Sequence, residues 1–217
     1  MLRIVHCSGY ALGNDRELKK CGTVVRMPDT QSQSFNDWGT VCWGMDGLLG
    51  RVPKTVLVAK TTSADTIMWS TGSTHYKEND ALISEAQRMY DTAYYGYGQL
   101  MEEFPHHFCK EGILRTEERY RAFIRSTSEL DVQSKNTRTS MRVLAEKVDA
   151  WSGNSRAEVN VVTSVNHLPR VVRDAHITFI EVFGKKYAVR VSLVFHGADT
   201  CYGDGRCEDI IIKDLGR

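Results

Sequence analysis

The stretch VVTSVNHLPR, residues 161–170, decides how the chain folds. It continues from AEVN (157–160), so that 157–164 reads as one strand, a β-branched run of the kind a sheet covers on both faces. The run ends in Thr163-Ser164, and His167 and Arg170 arrive as a helical pattern begins. LPRVVRDAHITFIEVFG (168–184) has the spacing of a helix, with Pro169 in the first turn and Gly184 at the stop. A strand that opens through two hydroxyls into a helix is half of a β-α-β unit. In an open parallel sheet the ligand crevice lies beyond such strand ends.

Working outward, TEERYRAFIRST (116–127) reads as a helix capped by Thr116, with Glu118 at pairing distance from Arg121 or Arg125. SELDV follows as a short segment, and then a helix starts near Asn136 or Thr137 with Met141, Leu144 and Val148 on its apolar face. LRIVHC (2–7) and DTIMWSTGST (65–74) each read as a strand running into a small polar loop, and YAVRVSLVFH (187–196) as another strand. KTVLVAK (54–60) is either a strand or, behind Pro53, a short helix. From Lys77 to about Glu103 the apolar spacing predicts one helix, weakening at Gly96 and Gly98; residues 28–50 show no period. Strands alternating with helices predict an α/β fold whose mainly parallel sheet is covered on both faces.

With 217 residues, 41% hydrophobic and 25% charged, the chain can bury a sizeable core, and one domain over 1–217 is expected. Lys and Arg total 28 against 27 Asp and Glu, so the net charge of +1 attracts neither nucleic acid nor an acidic membrane globally, and any anion site must be local. No basic stretch interleaved with aromatics appears, which argues against a nucleic-acid partner. The start, MLRIVHCSGYALG, makes a poor signal peptide, and no segment has the apolar length to span a bilayer; a soluble, cytoplasmic protein is expected. The six cysteines lack Cys-x-x-Cys spacing and read as reduced thiols, with a Cys201–Cys207 bridge as the alternative in an exported protein. His106-His107 near Cys109 reads as a solvated loop, since neighbouring histidines point to different sides, and CYGDGRCED (201–209) reads as a turn; no metal site is expected. The tyrosines of YDTAYYGYG (90–98) read as core or interface.

Four strand ends carry the candidate chemistry: Ser8-Gly9, Ser70-Thr71-Gly72-Ser73, Asp131 to Thr137, and Thr163 to Arg170. The helices that follow would aim free N–H groups and positive dipole ends at the same edge, which suits an anion. In that reading Arg170 and the loop amides hold the anion, while His167 with Asp131 or Glu129 manages proton transfer. Each residue also has a plainer role. His167 can cap the helix at Leu168, Asn136 and Thr137 are ordinary caps, and Ser70 to Ser73 can be a turn. Arg170 opposes the preference for acids in a first helical turn, so it implies either an anionic partner or a salt bridge to Asp131 or Glu129. Cys7 and Ser8 are candidate nucleophiles only if the fold sets His167 beside them. No Gly-x-Gly-x-x-Gly is present, so a dinucleotide grip of that type is not expected.

DVQSKNT (131–137) before a helix and VVTSVNHLPR (161–170) after a strand resemble the signature of the YdcF-like family, to which the SanA and ElyC types belong. IMWSTGST (67–74) with Glu85 downstream is similar to that family's Ser-Gly loop and following acid, and IVHCSGYALG (4–13) stands where its first strand and loop would be. Three features depart from the pattern: Asp131 stands where the family usually has Glu, with Glu129 nearby; STGST (70–74) lacks the second glycine of the usual Ser-Gly-Gly; and insertions fall near 28–50 and 91–125. The resemblance implies a three-layer Rossmann-like fold with a nucleotide-sized pocket. Its ligand contacts would be Ser8, Gly9, Ser70, Thr71, Gly72, Ser73, Glu85, Ser134, Asn136, Thr137, Thr163, Ser164 and Arg170. It further implies a small phosphorylated or nucleotide-like ligand, S-adenosylmethionine among the possibilities. Two function classes stand: an enzyme of unassigned reaction, or a binding module that uses the same pocket without turnover.

Overall fold

The structure, a computed structural model, describes residues 1–9, 43–45, 48–70, 75–78, 81–109, 111–198 and 211–214. Its centre is a sheet of five parallel strands: β1 (Leu2–Ser8), β4 (Thr66–Ser70), β7 (Ser128–Asp131), β8 (Ala157–Ser164) and β9 (Val191–Ala198). A further strand, β10 (Ile211–Asp214), pairs antiparallel with β9. Two small antiparallel pairs stand apart from the sheet, β2 (Gly44–Met45) with β3 (Leu48–Leu49) and β5 (His75–Glu78) with β6 (Ala81–Ser84). In space the main sheet runs β7-β4-β1-β8-β9-β10. The chain therefore steps outward from β1 to β4 to β7, crosses back, and steps the other way from β8 to β9. This reversal is the topological switch of a doubly wound, Rossmann-like sheet, and it falls between β1 and β8.

The strands alternate between two cores because successive side chains point to opposite faces. Val5, Cys7, Ile67, Trp69 and Val162 face α1 (Arg51–Thr62), α2 (Glu85–Tyr95), α3 (Tyr97–Glu103) and α4 (Glu117–Thr127). Ile4, Met68, Val159, Val161, Leu193 and Phe195 face α5 (Thr137–Ser152) and α6 (Leu168–Phe183). Helices on both faces of one sheet make the three-layer α/β fold that the alternation of elements predicts. All the strands named at the outset end on one edge, in the register Ser8–Ser70–Asp131.

Three elements differ from the sequence reading. The helix expected from Lys77 begins only at Glu85, because Ser84 is extended, ends β6, and accepts the Gln87 N–H as an N-cap. Ala86 and Met89, which the spacing places on its apolar face, are buried, together with Ala93, while Tyr90, placed there too, is only partly buried; the break falls at Gly96, while Gly98 lies inside α3. The strand expected from Tyr187 begins at Val191; the 3₁₀ turn Gly184–Lys186 runs on into a single helical turn, α7 (Tyr187–Arg190), with Tyr187 buried and Val189 exposed. On α4 the i,i+4 ion pair joins Arg121 to Glu117 rather than to Glu118. Behind Gly50 the segment around Pro53 is helical from Arg51 onward. Most of the region 28–50, residues 71–74 and the segment 201–210 lie outside the described residues.

The tyrosines of 90–98 are neither wholly core nor wholly free. Tyr90 stacks on Tyr94, and the guanidinium groups of Arg121 and Arg125 lie over the Tyr94 ring at 5.4 and 5.5 Å, tying α2 to α4 at the surface. Among the described residues no helix is long and apolar enough to cross a membrane, and no group of three His, Cys, Asp or Glu is placed to hold a metal ion. His106, His107 and Cys109 are exposed in the segment after α3.

Candidate functional site

At the switch point the sequence reading missed the central residue. Arg51, the first residue of α1, is fully buried and spans the ends of β1 and β8. Its Nε and Nη2 donate to Ser164 Oγ at 2.9 and 2.7 Å, and Nη1 donates to the Ser8 carbonyl at 3.0 Å. One guanidinium thus fixes the two strand ends that flank the crevice. A local signal exists in GRVPK (50–54), where Gly50 precedes a helix carrying Pro53 in its first turn. Nothing in that signal says that the arginine points inward.

His167 stands beside this clamp. The chain leaves β8 through the 3₁₀ turn Val165–His167, which puts His167 at the N-cap position of α6. It makes no side-chain cap bond there, so the capping role does not hold. Instead its Nε2 meets Thr137 Oγ1, on the first residue of α5, at 3.1 Å. The imidazole therefore bridges the amino ends of two 16-residue helices. Burial pushes its pKa down to about 4; the Arg51 and Arg170 guanidiniums push the same way, and Asp174 opposes them. Arg170 is exposed, and it forms no salt bridge with Asp131 or Glu129.

Those two carboxylates are committed elsewhere. Glu129 pairs with Lys147 of α5, two residues back from the strand end. Asp131 accepts from Ser70 Oγ at 2.6 Å, from the backbone N–H groups of Ser134 and Gln133 at 3.1 and 3.2 Å, and from Ser134 Oγ. It latches the turn from β7 into α5, and the imidazole whose charge it favours is that of His6. The structure thus does not bring either expected acid–base partner to His167. Asn136 is the N-cap of α5, in a capping box with Thr139, which leaves the Thr137 side chain for His167.

A second polar group lies inside the sheet's α5 face. Ser140 Oγ bonds to Ser70 Oγ at 2.5 Å and to His6 Nε2 at 3.2 Å, so a buried chain runs from His6 through two serines to Asp131. Thr163, one step beyond the Cys7–Val162 pair, is next to Ser8 in register, is fully buried, and its Oγ1 meets no partner among the described residues. Glu85 is the buried first residue of α2, and Gly9 is half-buried at the end of β1. Thr71, Gly72 and Ser73 lie outside the described residues. Cys7 faces the α1 core, where its Sγ lies 3.5 Å from Met89 Sδ, so His167 is not its partner in any described contact.

Two consequences are measurable. Asp131→Asn should lower stability by about 3 kcal/mol, since an amide offers one acceptor where the carboxylate takes several donors. A thermal melt unchanged by Asp131→Asn would contradict the latch. His6, fully buried, has its pKa pushed down by burial to about 4. In the unfolded chain the same group titrates near about 6.5, so folding excludes a proton that the unfolded chain binds. Stability from this neutral His6 is complete above about pH 6.5 and is lost as pH falls toward about 4, by up to about 3 kcal/mol. Urea unfolding at about pH 7 and about pH 4.5 should show this loss, and His6→Gln should reduce it, leaving the part that His167, lowered in the same way, contributes; an undiminished loss in the variant would refute the assignment.

A cavity of about 430 Å³ opens at the opposite edge, where Arg156, Glu158, Arg190 and Ser192 line the amino ends of β8 and β9. One of its two arginines is in structural use: Arg190 bonds Asp149 and Ser152 and the Gly153 carbonyl at the end of α5. The carboxyl edge is the stronger site on chemistry, because there a buried cation, an imidazole and helix N-termini meet. Comparison of the chain with protein-family models, with curated proteins and with solved structures finds no match.

Proposed function

We propose that the carboxyl-edge crevice between β1 and β8 binds a small phosphorylated or nucleotide-like molecule, and that the protein is an enzyme acting on it, in keeping with the YdcF-like resemblance. One observation carries this reading. The first turns of α1, α5 and α6 contain no acidic residue, although acids are favoured there, and arginines stand in them instead. Of these, Arg51 and Arg170 both act on His167 at the crevice, whereas Arg138 is engaged by Glu181. Three positive helix ends and two guanidiniums around one imidazole suit an oxyanion. Thr163, Ser164 and Thr137 add hydroxyls at the same edge.

A second reading, a non-catalytic nucleotide- or S-adenosylmethionine-binding module, is favoured by one specific fact: neither Asp131 nor Glu129 reaches His167. A cytoplasmic location, with neither nucleic acid nor membrane as partner, goes with both readings. The test is mass spectrometry of small molecules released by denaturing protein purified from cells. A phosphorylated, nucleotide or adenosyl compound in roughly stoichiometric amount supports the ligand class; a neutral or lipidic compound in that amount overturns it. Returning the recovered compound to fresh protein then separates the two readings, since an enzyme converts it and a module gives it back unchanged.

A further inference from the structure

We propose that the cavity at the amino edge of the sheet is a second ligand site, and that it takes a small zwitterion, an α-amino acid with an apolar side chain. It is independent of the crevice at the carboxyl edge and shares no residue with it. The cavity holds about 430 Å³, within the roughly 300–1,000 Å³ of small-molecule sites. Two opposite charges line it: Arg156 just before β8, and Glu158 two residues on, within the strand. Among the described residues the exposed Arg156 guanidinium makes no hydrogen bond or ion pair, with Glu158 or with any other group. Glu158 is half-buried, and its Oε1 accepts from Asn160 Nδ2 at 3.1 Å. That bond holds the carboxylate in place and leaves Oε2 without a donor among the described residues.

Arg190 adds no further cation for a ligand, because its Nη1 and Nη2 are bound to the end of α5. The cavity therefore offers one guanidinium and one carboxylate oxygen, with the Ser192 hydroxyl beside Glu158 in register on β9. Its remaining wall is apolar: Ala188 and Val189, on the single turn α7, are exposed, Val189 by 64%. A carboxylate on Arg156, an ammonium on Glu158 and an alkyl chain over Val189 satisfy the three surfaces at once. A phosphate dianion suits Arg156 but is repelled by Glu158, so the two edges of the sheet select different ligands.

L-Leucine is the probe, with leucinamide, which lacks the carboxylate, and isocaproate, which lacks the ammonium group, beside it. Calorimetric titration of the full chain should give leucine an affinity at least about tenfold tighter than either analogue, the effect of one charge-assisted hydrogen bond. Arg156→Ala and Glu158→Gln should each weaken leucine about tenfold with an unchanged thermal melt, since Arg156 is exposed and glutamine keeps an acceptor for Asn160. Glu158→Gln should not weaken isocaproate. Amide chemical-shift changes on adding leucine should centre on residues 156–158 and 188–192. No detectable binding of leucine, equal affinity for isocaproate, binding undiminished by Arg156→Ala, or shift changes centred on the carboxyl edge would each overturn the proposal, and none of these results bears on whether the crevice binds its anion.

Discussion

Val162→Asp is expected to abolish cooperative folding. Val162 is completely buried in β8, flanked by Cys7 of β1 and His196 of β9, and its side chain enters the core under α1. An aspartate there buries a carboxylate in a row of apolar groups, at a cost above about 4 kcal/mol. Domains of this kind are stable by only about 5–15 kcal/mol in all. The paired control is His167→Ala, which removes a half-buried ring that holds one hydroxyl, and which should shift the melt by a few degrees at most. Circular-dichroism melts of the two variants decide the matter. Equal losses would mean that His167 is structural.

Arg170→Ala is expected to weaken binding of the recovered ligand by about tenfold with the fold intact. A charge-assisted hydrogen bond contributes about 1.5–3 kcal/mol, and the exposure of Arg170 puts it at the lower end of that range. Arg170→Lys should restore part of the loss, because lysine keeps the charge without the planar fork. Calorimetric titration beside thermal melts separates a binding defect from misfolding. Unchanged affinity in a folded Arg170→Ala protein would remove Arg170 from the site.

The parts of the fold that were legible are those in which local chemistry and tertiary packing agree. The strand 157–164 and the helix opening at Leu168 follow from a β-branched run, Pro169 and Gly184, and the helix at Thr137 from the cap at Asn136. Around Lys77 the two disagree: Leu82 and Ile83 fit the helical spacing of Ala86 and Met89, but they precede a serine that starts the helix. At the site, the edge was legible because it follows from topology. The partners on it were less so. Asp131 was expected beside His167, yet a carboxylate three residues before a serine and close to backbone N–H groups closes its own turn. Arg51 was missed because burial of a charged side chain is a property of the switch point, where strands distant in sequence meet, and no spacing in the neighbouring residues encodes it. His6 was hidden for the same reason: within LRIVHC it reads as part of an apolar run, and only α5 supplies Ser140 as its partner.

The central claim is that the ligand binds at the carboxyl edge, between β1 and β8. Amide chemical-shift mapping during titration with adenosine monophosphate tests it most directly, because it locates a ligand without assuming any reaction. The account predicts that the largest changes fall on Arg51, on Thr137 to Thr139 and on Ser164 to Arg170. Changes centred on Arg156 and Arg190 at the opposite edge, or none along β1 and β8, would contradict it.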